Sequence, residues 1–372
     1  MNNAISNKEK NMNKSMFGKI LVTTSFILIA GNSFADGFKR FSVSAGWLHV
    51  MPQGTANPFN INTIVPNGQT SKVGTISPQG FMNALDPNAI VPDSNITFKT
   101  MLTEKMKDPA FAKILLDKDK NVNAAVTGAT DIHGLNAWRA QGTGLEAEDV
   151  DTLGLMMNYY INDNVSLQLI AGLPPKVDIS GKGEITAPMS GMAHTGLGLE
   201  IPLKQDIPIT NLGNKSKAAT VRAWTPAIEA QYQFGKSGVN KLRPYVGVGV
   251  MYAHFSHIKL NGEINNDLVA AGHMIQNVMD NKAGAALDRK TSSANPFVKV
   301  KTTDAIAPIF SVGATYDFTE NWYGVASVSY AKLDNQAKID VIDANTGKRL
   351  IHSTTKVDID PIITYVGVGY RF

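Results

Sequence analysis

Two histidines three residues apart, His254 and His257, have the spacing of a metal clamp if they share one face of a helix. They sit at the upper end of residues 243–255, where large and small side chains alternate, and a strand sends positions 254 and 257 to opposite faces. No carboxylate or third histidine is close in sequence, so no metal is expected. Gly235-Lys236-Ser237 has the tail of a phosphate-binding loop, but the glycine required five residues earlier is Ala230 and no helical pattern follows. Gly247-x-Gly249 lacks both the third glycine and the strand-to-helix context of a dinucleotide site. The seven histidines are scattered, and no serine, histidine and acid have the arrangement of a nucleophile with its base. Neither an enzyme nor a cofactor is expected.

What remains is a set of charges and a set of large apolar residues whose meaning depends on where strands point them. The chain ends on Tyr365-Val366-Gly367-Val368-Gly369-Tyr370-Arg371-Phe372. With a period of two, Phe372, Tyr370, Val368, Val366, Thr364 and Ile362 share a face suited to lipid. Arg371, Gly369, Gly367, Tyr365 and Ile363 share a face suited to a tight interior. Scored for such alternation over about ten residues, the length of a tilted barrel strand, the chain has eight candidates: 38–50, 151–161, 164–174, 221–234, 243–255, 307–318, 321–333 and 357–372. The second sets Leu153, Leu155, Met157, Tyr159 and Ile161 against Thr152, Gly154, Met156, Asn158 and Tyr160. The fourth sets Ile228, Ala230, Tyr232 and Phe234 against Ala227, Glu229, Gln231 and Gln233.

Short connections at Asn162-Asp163, 235–242 and Thr319-Glu320 alternate with long polar tracts at 51–150, 175–220, 256–306 and 334–356. Tight periplasmic turns and extended external loops are expected to alternate in this way in an outer-membrane barrel. The expected fold is therefore all-β: an eight-stranded antiparallel up-and-down transmembrane β-barrel with long extracellular loops, 51–150 and 256–306 being the longest insertions. The first of these could hide another hairpin, around 95–101 and 121–129. Helical spacing within the insertions predicts helices over 98–116 and 264–279.

Composition agrees. Hydrophobic residues make up 43% of the chain, and polar residues interrupt every apolar run after the first. In hydrocarbon only helices and closed barrels satisfy all backbone donors and acceptors. Residues 1–35 have the form of a cleaved secretory signal, with lysines before the apolar stretch 20–30 and Ser33-Phe34-Ala35 at the cleavage point. The mature chain is then expected to start at Asp36. Cysteine is absent, so no disulfide supports the fold, and a net charge of +4 on 372 residues gives no reason to expect a nucleic-acid partner. Aromatics fall in two bands, a lower one of Phe41, Tyr159, Phe234, Tyr245, Phe318, Trp322 and Phe372, and an upper one of Trp47, Trp224, Tyr252 and Tyr330. Two such bands are the girdles of a membrane barrel.

Parity then sorts the interior. Arg40, Arg243, Asp317 and Arg371 fall at its periplasmic end as a plug, with Glu229, Gln231 and Gln233 above them. Leu48, Val50, Met156, Ile170, Met251, Ile309, Ile363 and Tyr365 fall in the external half as an apolar pocket.

Several stretches resemble the outer membrane protein W (OmpW) family: residues 37–50, 151–178 (DTLGLMMNYYINDNVSLQLIAGLPPKVD), 225–235 (TPAIEAQYQFG), 242–255 (LRPYVGVGVMYAHF), 321–334 and 357–372. The resemblance implies a small eight-stranded barrel of the outer membrane that binds or passes small hydrophobic molecules through an apolar upper lumen and releases them sideways into lipid. Its apolar constriction pairs an aliphatic with an aromatic side chain. Here the aliphatic position is Ile170 and the aromatic one is Ser329, so the constriction is expected either to be wider or to be supplied by another residue such as Tyr365 or by an inserted loop. The terminal strand ending in Phe372 is similar to those read by the barrel-assembly machinery. The competing expectation is a structural or interaction protein whose loops 51–150 and 256–306 bind a partner above a filled bore.

Overall fold

The computed structural model describes residues 39–372; the expected signal sequence at 1–35 lies outside the described residues. Eight strands close on themselves: β1 (Phe41–Met51), β2 (Val150–Tyr160), β3 (Val165–Gly172), β4 (Ala227–Gln233), β5 (Leu242–Leu260), β6 (Ala305–Asp317), β7 (Trp322–Ala331) and β8 (Ile362–Arg371). Each pairs antiparallel with its sequence neighbours, and β8 pairs back onto β1 from Ser42↔Arg371 to Met51↔Ile362. The barrel is up-and-down, and it leaves no free edge where the ladders run complete. No helix among the described residues is long and apolar enough to cross a membrane.

The outer surface carries the oil-facing half of each alternation. Leu153, Leu155, Met157, Leu167, Leu169, Ile228, Val246, Val248, Val250, Phe310, Val312, Val366 and Val368 are all exposed. At the periplasmic rim the aromatics meet in pairs, Trp322 with Tyr370, Tyr370 with Phe372, and Tyr232 with Phe234, each at 5.1 Å between ring centres and close to edge-on. Tyr245 departs from the expected band. It points inward and is buried, because parity on β5 places it with Gly247 and Gly249 on the bore side.

Glycines face the bore because tyrosine rings lie across them. Tyr245 pairs with Gly313 on β6, and a Cβ added to Gly313 would stand 2.6 Å from the Tyr245 ring carbon Cζ and 2.6 Å from the Ala326 carbonyl. Tyr323 covers Gly369 of β8 in the same way. Tyr365 reaches past β1 to β2, where a Cβ at Gly154 would lie 2.9 Å from its ring.

The long tracts are not loops. They fold into an external domain with its own hydrophobic core, built on a five-stranded sheet (296–302, 334–343, 349–358, 59–63, 137–140) and a four-stranded sheet (200–211, 184–194, 129–133, 69–72). The hairpin suspected at 95–101 and 121–129 does not form: Phe98–Lys105 and Ala124–Thr127 are helices, and the strand that follows, Ala129–His133, pairs in the four-stranded sheet. The helix expected over 98–116 is two, Phe98–Lys105 and Pro109–Leu115, because Pro109 starts a new first turn that the Asp108 side chain caps. The second expected helix is Gly262–Met279, capped by Asn261, burying Ile264, Ala271, Met274, Ile275 and Val278. Two barrel strands are also shorter than their alternation: 221–234 splits into Ala219–Trp224 and Ala227–Gln233 around Pro226, and β8 starts only at Ile362, past Pro361.

If the tyrosine rings require their glycines, Gly313→Ala lowers stability by about 1–3 kcal/mol through overpacking. Gly262→Ala, where a Cβ meets nothing within 4 Å, changes it by less than about 0.5 kcal/mol. Urea unfolding in lipid vesicles, followed by tryptophan fluorescence, measures both; equal midpoints for the two variants would remove the tyrosine-on-glycine account.

Candidate functional site

The bore has a polar lower half. Arg371 on β8 donates to Asp317 on β6 at 2.6 Å, both largely buried, and its guanidinium lies 4.3 Å from the centre of the Tyr323 ring. Arg243 is buried and turns downward to the periplasmic turns, donating to the backbone carbonyls of Asp163, Phe234 and Gly235, with the Asp163 carboxylate at 3.4 Å. Above them the Gln233 amide donates to Thr315 Oγ1 at 2.6 Å, and that of Gln231 to Gln168 Oε1 at 2.8 Å. Tyr323 donates to Ser42 at 3.0 Å and Tyr365 to Ser44 at 3.1 Å. These bonds link neighbouring strands or strands one apart across the inner face, and their side chains fill the bore, as eight strands allow.

Two members of the expected plug sit differently. Arg40 is exposed and makes no side-chain hydrogen bond or ion pair among the described residues, because it stands at the periplasmic rim, where its carbonyl still accepts from Tyr160 N–H but its side chain is in solvent. Glu229 is buried, but no cation faces it: Oε2 accepts from the Ser311 hydroxyl at 2.6 Å and Oε1 has no partner. Asp163, which parity could not place because it lies in a turn, takes the role beside Arg243.

Above this floor lies a cavity of about 140 Å³. Leu48, Val50, Met156, Ile170, Met251, Ile309, Ser329, Ile363 and Tyr365, from seven of the eight strands, all line it. Tyr365 is buried at the floor, while Ser329 is a small polar residue on the wall. Much of the remaining lining comes from above the membrane, including Val177, Ile179, Val221, Ala223, Phe255, Leu333, Val357 and Ile359. Their alternation is visible at 177–179 and 357–359, yet only the structure shows that strands 176–182 and 219–224 carry the wall upward by pairing Val221 with Val177 and Ala219 with Ile179. Asp178 fastens these strands: it accepts from Lys217 at 2.9 Å and Thr220 at 3.0 Å, and the Lys217 hydrogen bond holds its carboxyl below the usual carboxylate range.

The wall is interrupted at one level. Between β3 and β4 the last paired residues are Ile170 and Ala227, and pairing resumes only where Ala223 donates to the Pro175 carbonyl. In between, Pro174 and Pro226 have no N–H to offer. Pro175 and Thr225, at the edge of this break, both line the cavity.

The OmpW family pattern matches residues 119–288 and 269–372. The chain belongs to the OmpW family. Outer membrane protein W of Salmonella typhi is 26% identical over 231 residues, covering 62% of this chain and 76% of that one. The dibenzothiophene metabolism operon protein PahQ of Pseudomonas aeruginosa is 20% identical over 252 residues, covering 67% of this chain and 84% of its own length. Among solved structures, OprG of Pseudomonas aeruginosa aligns over 90% of this chain and 96% of its own, with 15% identity and a TM-score of 0.48. This OmpW-family chain is an outer-membrane β-barrel.

If Asp317 neutralises a largely buried Arg371, then Asp317→Ala costs about 3 kcal/mol, because an uncompensated charge stays inside the bore. Glu104→Ala, which breaks an exposed pair with Lys107, costs at most about 1 kcal/mol. Urea midpoints in vesicles distinguish the two, and a loss below 1 kcal/mol for Asp317→Ala would mean that Arg371 is solvated.

Proposed function

We propose that this barrel binds small hydrophobic molecules in its upper lumen and passes them sideways into the membrane, with no catalytic step. The observation that carries the reading is the apolar cavity of about 140 Å³ standing directly on a floor sealed by hydrogen-bonded polar side chains. A solute entering from outside meets apolar walls and then no way down. A molecule burying about 200 Å² of apolar surface there gains roughly 5 kcal/mol, and polar water-borne solutes gain nothing.

The exit is the break between β3 and β4. With Pro174 and Pro226 unable to bond across it, and Pro175 and Thr225 facing the cavity, this is the place where the wall can part at least cost in hydrogen bonds. The naming of PahQ for dibenzothiophene metabolism is in keeping with an apolar, aromatic cargo. Ile170 and Tyr365 act as the constriction, Tyr365 standing in for the aromatic that Ser329 does not supply. The terminal aromatics, half-buried Tyr370 and exposed Phe372, in edge-on contact at 5.1 Å, suit recognition by the barrel-assembly machinery during insertion.

A second reading is favoured by one observation: the insertions 51–150 and 256–306 form a folded domain with its own core, which is more than a lumen requires. In that reading the domain binds a partner and the cavity is incidental.

The uncharged fluorescent probe 1-N-phenylnaphthylamine separates the two readings. It is expected to bind the protein in nanodiscs and to bind Ile170→Trp about tenfold more weakly. Unchanged affinity in that variant, or steady conductance of large hydrophilic ions through the wild-type barrel, would refute passage through this lumen.

A further inference from the structure

Above the membrane the wall has a second discontinuity, unrelated to proline. β5 runs on to Leu260, and its pairing with β6 stops at Ala253↔Ala305. Beyond that point residues 254–260 bond to Ala219–Trp224 through one edge, and the other edge carries no ladder. Facing it, Pro296–Thr302 pairs with 334–343 on one side and with no strand on the other. Among the described residues the two free edges are pinned together at their foot, where Thr302 Oγ1 donates to the Phe255 carbonyl at 3.4 Å and Asp304 accepts from Tyr252 at 2.9 Å beside His254 at 2.7 Å.

Unpaired backbone edges facing each other would normally zip together. Here an open cleft lies between them, bordered by Ile258, Lys259, Leu260, Val298 and Val300 and, at the start of the following helix, by Gly262, Asn265 and Asn266. Ile258 and Val300 also line the lumen cavity. Leu260 and Val300 also line a second apolar cavity of about 80 Å³ inside the external domain, beneath helix Gly262–Met279. The cleft therefore shares wall residues with both chambers. Its outer lips are basic: Lys259, Lys299 and Lys301 are exposed and make no ion pair among the described residues. Lys301 lies opposite Lys338, and although Lys299 lies opposite Asp340, that carboxylate is held by His352 at 2.6 Å.

We propose that this seam is a side portal that admits single-chain anionic amphiphiles tail first, the alkyl chain running over Ile258 and Val300 into the chambers and the acid group resting on Lys259 and Lys301. The proposal rests on the lumen being a binding site for apolar molecules, and it adds the cargo class and the route in. A slot between two strands suits an unbranched chain, and ammonium groups beside Ile258 and Val300 at a largely polar mouth suit a carboxylate head. The portal opens just above the upper aromatic band, where Tyr252 and Tyr330 face outward, at the level at which amphiphiles gather.

The test uses full-length protein in nanodiscs preloaded with 1-N-phenylnaphthylamine, displaced by dodecanoate or by dodecanol at a pH where the acid is ionised. In Lys259→Glu/Lys301→Glu, displacement by dodecanoate is expected to weaken about fivefold, the effect of reversing two exposed charges, while dodecanol is unchanged. Because the chain has no cysteine, Val298→Cys can be capped with a bulky maleimide; capping is expected to slow displacement by both compounds about tenfold while leaving bound probe in place. Equal effects of the charge reversal on both compounds, or no effect of capping, overturn the portal and leave the lumen reading standing. Failure of the uncapped wild type to bind the probe overturns the lumen reading and the portal with it. A dimer that capping dissociates would show the edges to be an interface between copies, and would overturn the portal as well.

Discussion

Every backbone donor and acceptor that faces hydrocarbon must find a partner within the protein, and the rest of this structure depends on that constraint. It is met by a ladder that returns from β8 to β1, and the closed ladder in turn fixes which side chains meet lipid and which meet the bore. A one-residue slip anywhere would bring Arg371 and Gln233 into oil and take Val368 and Tyr232 out of it. The tyrosine and glycine pairs belong to the same constraint. A cylinder of eight strands is narrow, and Tyr245, Tyr323 and Tyr365 fit inside it only because the strand across from each offers no side chain at the contact point.

This explains which parts were legible from the amino acids alone. Alternation at 153–161 and 228–234 was readable because one face meets a uniform solvent, lipid, and admits only apolar side chains. Parity carried from those faces placed Met156, Ile170, Met251 and Ile309 on the bore, where the structure has them. Arg40 does not enter the bore because it stands at the rim, where its carbonyl still accepts from Tyr160 N–H but nothing among the described residues confines its side chain. Tyr245 was misplaced because tyrosine suits a membrane interface and a packed bore equally well; its partner Gly313 lies 68 positions along the chain, with nothing local to connect them.

The external domain was the least legible part, for a related reason. Its strands face water on one side and a protein core on the other, so 184–194 mixes Ile185, Ala187 and Met189 with serine, glycine and proline, and its pairing with 200–211 and 129–133 is set by tertiary contact. Polar tracts of this kind read as loops until the core they share is seen. Residues 176–182, 219–224 and 349–358 are continuations of the barrel wall or of a sheet beside it, and they lift the apolar lining above the bilayer.

That height changes what the lumen can do. A cavity confined to the membrane would have walls stabilised by lipid outside and cargo inside, and its mouth would lie at the headgroups. Here Val177, Val221, Val357 and Ile359 extend the apolar lining into a region where the outer face of the same strands is polar, with Lys176, Arg222 and Lys356 exposed. Backbone pairing is no longer compulsory at that level, because water can satisfy an open edge. The constraint that forbids gaps in the lipid-embedded ladder is thus relaxed where the wall rises out of it, and the free edges at 254–260 and 296–302 stand in that zone. Lower down, the break between β3 and β4 is tolerated because proline removes the donors that would otherwise be left unpaired. The two discontinuities differ in kind because they stand in different solvents: hydrated edges above and proline-relieved edges below.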